Sequence, residues 1–87
     1  MDDRRKKLRF RAWRRGFREI DLILGGFADQ RLSDLTPDGL ADFERLLDAP
    51  DQAVYAWING QERPPAEYDT QTLALIRAHR VKTAQQS

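Results

Sequence analysis

The sequence predicts an all-α protein, a small five-helix bundle that forms one domain over residues 1–87. Apolar residues recur at helical spacings of three and four, and no stretch alternates with the period of two that a strand requires. Short connections carrying Gly or Pro separate these segments, as is typical of a bundle. The chain has 87 residues and no cysteine, so packing rather than disulfides or thiolate metal sites must stabilise the fold.

A basic first helix is predicted over about residues 3–14. Asp2 and Asp3 are suitable N-cap residues, and Leu8 and Ala12 share one face at i, i+4. Gly16 then either turns the chain or permits close approach of another backbone, and the sequence leaves both uses open. Acidic residues at the beginning argue against a secretory or transit signal, so we expect a cytoplasmic protein.

The second and third helices each present an apolar face. The second is predicted over residues 17–28, with Phe17, Ile20, Ile23, Leu24 and Phe27 on one stripe. Thr36 can cap the third helix, and Pro37 suits its first position. Its buried face is expected to consist of Leu40, Phe43, Leu46 and Leu47.

Pro50 interrupts this pattern, and a short aromatic fourth helix is predicted from Asp51 to just before Gly60. The final helix should follow a loop at residues 61–65, place Tyr68, Thr72, Leu73, Leu75 and Ile76 inward, and give way to a polar tail at about residues 82–87. The predicted core contains Phe17, Ile20, Leu24, Phe27, Leu40, Phe43, Leu47, Val54, Trp57, Ile58, Leu73 and Ile76.

The net charge of +1 conceals a separation of charge along the chain. Residues 1–18 carry +7, residues 19–76 carry −9 and residues 77–87 carry +3. A basic arm on an acidic body predicts a polarised surface that orients a protein partner. Binding to nucleic acid is the alternative, because cations alternate with aromatic residues between Arg4 and Arg15, but the acidic body would repel a polyanion. A mean hydropathy of −0.74 and the lack of an apolar run of about 20 residues argue against a membrane partner.

The residue inventory argues against catalysis. The single histidine, His79, lies between Arg77 and Arg80 with no nucleophile to pair with, and we expect it to be exposed. Carboxylates such as Asp48 and Asp51 are expected to be solvated or to cap helices. We therefore predict no catalytic, metal-binding or cofactor-binding residues.

A sharper pattern is Arg15-Gly16-Phe17-Arg18-Glu19, which leads directly into the apolar second helix. This R-G-x-x-E pattern after a basic stretch resembles the signature of the SdhE family, assembly factors that promote covalent attachment of FAD to the flavoprotein subunit of succinate dehydrogenase. The resemblance continues through Leu46-Leu47, through Asp51 to Trp57 with Tyr55 between them, and through Pro64-Pro65, and it covers about residues 4–80. Phe17 and the Gly25-Gly26 pair depart from the family pattern.

The resemblance implies a partner-binding surface made of Arg15, Gly16 and Glu19, with further candidates Arg14, Arg18, Asp21 and Trp13. From their spacing alone, Arg15 and Glu19 would form a weak pair on one helix face. The resemblance implies instead that Arg15 binds a carboxylate of the client flavoprotein and that Glu19 accepts hydrogen bonds from it. Trp13, surrounded by arginines, is expected to be partly exposed.

The implied client is the flavoprotein subunit of succinate dehydrogenase, and fumarate reductase is a further candidate. FAD would be the client's cofactor, in weak contact with this chain at most. The chain, as a monomer, would hold the client so that the flavin and a client histidine stay at reacting distance. Two other classes remain open: a small basic nucleic-acid-binding or antitoxin-like regulator, and a structural subunit that stays in its complex.

Overall fold

The computed structural model describes residues 2–86, and it describes side-chain surroundings as far as residue 80. The described chain is all-α, as predicted, with five α-helices and no strand: α1 Asp3–Ala12, α2 Arg18–Arg31, α3 Pro37–Asp48, α4 Asp51–Asn59 and α5 Gln71–Gln86. Single 3-10 turns lie at Leu32–Asp34 and Ala66–Tyr68. No helix in the described part combines the length and the apolar character needed to cross a membrane.

Side-chain caps and special residues fix the helix ends. Asp2 accepts a hydrogen bond from the backbone N–H of Arg5 at 2.8 Å, and this contact holds the pKa of Asp2 below its ordinary value of 3.8. Thr36 caps α3 by accepting from the N–H of Gly39 at 3.1 Å, and Pro37 occupies the first turn, as predicted. Gly60 ends α4 in the left-handed region with φ of 77°.

All five helices contribute to one hydrophobic core. Phe27 of α2 and Phe43 of α3 lie at its centre with ring centroids 5.7 Å apart. Trp57 is buried, as predicted, and stacks on Tyr68 at 4.7 Å. Phe17 is only half-buried, because it is the N-cap of α2 and lies at the edge of the core rather than inside the helix.

Several predicted boundaries were wrong. The first helix ends at Ala12, two residues early, whereas α2 continues through Gly25-Gly26 to Arg31. Tyr68 belongs to a 3-10 turn and not to α5. At the beginning of α5, the hydroxyl of Thr70 accepts a hydrogen bond from the N–H of Leu73 at 3.2 Å. The backbone of the predicted polar tail is helical through Gln86, while the side chains of residues 81–87 lie outside the described ones.

The expectation of an exposed His79 was also wrong. The residue is half-buried, because its imidazole packs edge-on against Phe27 at 5.8 Å. Tyr68 and Leu75 face the core but are half-buried rather than fully enclosed.

Candidate functional site

The R-G-x-x-E pattern begins in the non-helical segment that joins α1 to α2, residues 13–17, which we call the α1–α2 link. Arg15 and Gly16 lie in this link, and Arg18 and Glu19 form the beginning of α2. Arg15 and Glu19 therefore do not share a helix, and the predicted intrahelical pair does not form. The pattern instead divides into a link part and a helix part, which have different surroundings.

The link part is bound to α4. The Nε and Nη2 atoms of Arg15 lie 2.8 and 2.6 Å from Oδ1 of Asp51, the first residue of α4. The backbone N–H of Gly16 donates to the other carboxylate oxygen, Oδ2, at 2.6 Å. The side chain of Arg15 is only 11% exposed and that of Asp51 is 23% exposed. Both carboxylate oxygens are thus used by the link in a partly desolvated contact, which is stronger than a surface ion pair.

The lack of a side chain at Gly16 permits close approach of another group, which is one of the two uses that the sequence left open. In the described chain only Gly60 has a positive φ, so Gly16 is not a left-handed turn. A Cβ at Gly16 would lie 2.7 Å from Oδ2 of Asp51, which is closer than real Cβ contacts. The group that approaches Gly16 here is a carboxylate of the same chain.

Further contacts hold Arg15 and Phe17 of the link. Oδ1 of Asp21, in the first turn of α2, accepts from the backbone N–H of Arg15 at 2.6 Å. The ring of Phe17 packs edge-on against Tyr55 of α4 at 5.1 Å. Contacts with α4 are therefore made by the residue before Gly16 and by the residue after it, and they fix the orientation of the α2 N-terminus relative to α4.

The helix part of the pattern faces solvent. Arg18 and Glu19 are exposed, and neither has a hydrogen bond or ion pair with a described residue. Leu22 lies three residues after Glu19 on the same helix face and is 52% exposed, so an apolar side chain lies beside the two charged ones. Arg18, Glu19 and Leu22 form a surface that we call the α2 face.

The remaining candidates lie beside this face. Trp13 is half-buried, in agreement with the predicted partial exposure, and its indole N–H donates to Asp29 at 3.1 Å. Its ring covers Gly25, where a Cβ would overlap the indole. Arg14 is exposed, with its guanidinium 3.7 Å from the ring centroid of Phe10.

The basic arm is folded against the acidic body rather than extended from it. Three arginines pair with acids of α3 and α4: Arg4 with Glu44 at 3.0 Å, Arg11 with Asp48 at 2.6 Å and Arg15 with Asp51. Both Asp48 and Asp51 thus pair with the arm. Asp48 remains 65% exposed, in agreement with the expected solvated carboxylate, whereas Asp51 is only 23% exposed. This pairing lowers the free positive charge that the +7 segment offers to a polyanion.

The described residues include no cluster of three or more His, Cys, Asp or Glu that could hold a metal ion. A groove of about 420 Å³ lies between the N-terminus of α3 and α5. Among its described lining residues, Asp34, Asp38 and Asp42 are acidic and Arg31 is a cation. These carboxylates would repel the diphosphate of FAD, so the groove does not fit that cofactor.

Two residues of this region were missed by the sequence reasoning. Asp51 was expected to cap a helix or to be solvated and was used in the resemblance, but it was not predicted to bind Arg15 and Gly16. Its spacing to Tyr55, which places both on one face of α4, was the available signal. Leu22 lies outside the predicted apolar stripe of the second helix, and a large apolar residue on the polar face was the available signal.

Comparison with known proteins identifies the family. A family described as the flavinator of succinate dehydrogenase matches residues 6–80. The chain is 39% identical over 75 residues to mitochondrial succinate dehydrogenase assembly factor 2 of Dictyostelium discoideum, covering 86% of this chain and 53% of that protein. It is 37% identical over 70 residues to the FAD assembly factor SdhE of Acetobacter pasteurianus, covering 80% of this chain and 64% of that protein.

A mitochondrial succinate dehydrogenase assembly factor 2-B of Drosophila mojavensis is 31% identical over 81 residues, which cover 91% of this chain and 52% of that protein. The chain therefore spans between half and two thirds of the length of these relatives. The matched part includes the α1–α2 link, the α2 face and Asp51.

Proposed function

The chain belongs to the family of succinate dehydrogenase flavinators, and we propose that it promotes covalent attachment of FAD to the flavoprotein subunit of succinate dehydrogenase. The observation that carries the proposal is the family match over the whole R-G-x-x-E segment, together with the exposure of Glu19 and Leu22 in it. The curated relatives bear the names of assembly factors rather than of catalysts. The proposed role is accordingly to bind and orient a client.

The client-binding surface is proposed to be the α2 face, flanked by Gly16 and Arg14. Leu22 would supply an apolar anchor, and Glu19 a charged acceptor for backbone N–H groups or an arginine of the client. Glu19 is available for this because it has no ion-pair partner among the described residues. Arg15, Asp21 and Trp13 would contribute mainly by fixing the segment, since each already binds a group of its own chain.

The bond between the flavin and a client histidine would form on the client, with chemistry that the flavin supplies. The chain's part would be to hold the client domains in a reactive arrangement, which lowers the entropic cost of bringing the two groups together. FAD would remain the client's ligand, which is supported by the acidic lining of the groove between the N-terminus of α3 and α5.

Substitution of Glu19 tests the binding surface. The flavoprotein and each variant are expressed together in cells that lack the wild-type chain, and covalent flavin is read as fluorescence of the client band on a denaturing gel. Glu19→Gln is expected to lower covalent flavin severalfold. Its matched control, Glu62→Gln, changes an exposed glutamate in the loop after α4 and should leave flavinylation unchanged. Undiminished flavinylation with Glu19→Gln, in a chain whose circular dichroism is unaltered, would refute the assignment.

The proposal extends to three finer points. The flavoprotein of fumarate reductase would be a second client, tested by the same gel assay. The chain would act as a monomer, which sedimentation equilibrium measures directly. It would act in the cytoplasm, although the eukaryotic relatives are named as mitochondrial, and fractionation of cells provides the test.

A further inference from the structure

Asp51 contacts both Arg15 and Gly16, the residues at the centre of the α1–α2 link. It is the first residue of α4, after the N-cap Pro50, and its side chain is mostly enclosed. Oδ1 binds two nitrogens of Arg15, and Oδ2 binds the N–H of Gly16. A carboxylate with this set of donors fixes both the side chain and the backbone of the link.

The contact depends on the lack of a side chain at Gly16. A Cβ there would meet Oδ2 of Asp51 at 2.7 Å, so any larger residue must displace the carboxylate or the link. Tyr55, one turn after Asp51 on α4, packs on Phe17. One face of α4 thus holds three consecutive residues, Arg15, Gly16 and Phe17.

The held segment leads within two residues to Glu19. Phe17 is the N-cap of α2. Its side chain cannot accept a hydrogen bond from the first N–H groups of the helix, so the N-cap residue itself does not fix the N-terminus of α2. The link contacts to Asp51 and Asp21 fix it instead. Movement of the link would displace Glu19 and Leu22 together, because both lie in the first turns of α2.

We propose that Asp51 is a positioning residue for client recognition: by binding Arg15 and Gly16, it holds the α2 face in the orientation that the client flavoprotein binds. This inference rests on the proposed function. It assigns a role in the recognition surface to a residue of α4, which lies 32 positions beyond Glu19 in the sequence.

A double-mutant cycle tests the proposal. Dissociation constants for the FAD-loaded flavoprotein are measured for the wild type, Asp51→Asn, Glu19→Gln and the double variant. Loss of the carboxylate should weaken client binding by about tenfold in the wild-type background, the factor expected when one charge-assisted contact no longer orders the surface. In the Glu19→Gln background the same change should weaken binding by less than about threefold, because the group that Asp51 positions is already gone.

Asp48→Asn is the matched control. Asp48 also pairs with an arginine of the N-terminal segment, Arg11, but it does not contact the link. We expect its effect on client binding to be small. An Asp51→Asn effect of equal size in both backgrounds, or no effect at all, would overturn the positioning role while leaving the proposed function intact. Failure of the wild-type chain to bind the flavoprotein would overturn both.

A second measurement reports on the contact without the client. The amide proton of Gly16 donates to a carboxylate, so its NMR resonance should lie downfield and move upfield by several tenths of a ppm in Asp51→Asn. The amides of the α3 N-terminus, capped by Thr36, should not move. If Asp51→Asn does not fold, Arg15→Lys takes its place in the cycle, because it keeps the charge but loses the two-nitrogen contact with Oδ1.

Discussion

Two glycines of this chain, Gly16 and Gly25, occupy positions where a side chain of another segment needs the space. Gly16 makes room for the carboxylate of Asp51, and Gly25 makes room for the indole of Trp13. The first contact joins the α1–α2 link to α4, and the second joins Trp13 of the link to α2. The Gly25-Gly26 pair does not shorten α2, which continues to Arg31, and the indole of Trp13 covers the helix at Gly25.

Gly25→Ala is expected to destabilise the fold. Its Cβ would overlap the Trp13 ring, and overpacking of this kind costs about 1–3 kcal/mol in the free energy of unfolding. Gly26→Ala is the control, because the nearest atom to its Cβ would be Nε2 of His79 at 4.0 Å. That change should be neutral or stabilising by up to about 1 kcal/mol through helix propensity. Urea denaturation measures both, and equal effects of the two changes would show that the indole does not pack as described.

The residue roles in the R-G-x-x-E pattern could be predicted only in part. The exposure of Glu19 and the partial exposure of Trp13 agree with expectation. The position of Arg15 does not, because the helix ends at Ala12 and its guanidinium turns toward Asp51, 36 positions away. Helical periodicity reports on neighbours three or four residues apart and contains no signal for a contact of this range.

At the scale of the elements, the helices whose ends carry chemical signals were predicted best. Thr36-Pro37 marks the beginning of α3, and Pro50 and Gly60 bracket α4, as expected. The end of α1 and the beginning of α5 were misplaced, because neither has a Pro or a left-handed Gly at the boundary. The N-terminus of α2 is set by tertiary contacts to Asp51 and Tyr55, which local sequence does not encode.

Thr36→Ala should destabilise the protein by about 1 kcal/mol, since the N–H of Gly39 loses its side-chain acceptor. Ser33→Ala serves as the control: it removes an exposed hydroxyl that makes no hydrogen bond within the described residues. Both values are obtained from urea denaturation followed by circular dichroism. A Ser33→Ala effect as large as that of Thr36→Ala would argue against capping as the cause.

In the molecule as a whole, the basic N-terminal segment and the acidic body form ion pairs that hold α1 against α3. Leu8 and Ala12 bury one side of this helix, while Arg4 and Arg11 reach acids of α3. Arg5 donates to the carbonyls of Leu32 and Leu35 at 3.2 and 2.9 Å. Composition predicted the separation of charge but not its pairing, because pairing depends on how the helices pack.

Arg11→Gln should lower the free energy of unfolding by about 0.2–1 kcal/mol, the range for an exposed ion pair. The loss should shrink in 1 M salt, where such pairs are screened. Lys7→Gln removes an exposed cation of the same helix that pairs with no described residue, and it should have little effect. If both changes have the same effect at low and at high salt, α1 is not held by these pairs.

In the proposed function, this chain accelerates covalent flavin attachment by binding the client. The most direct test of this function mixes the purified flavoprotein, which carries FAD that is not covalently bound, with the wild-type chain or with Glu19→Gln, and follows protein-bound fluorescence on denaturing gels over time. Attachment is expected to be faster with the wild-type chain than with no addition, and Glu19→Gln should give little acceleration. Equal rates in all three reactions would contradict the proposed function.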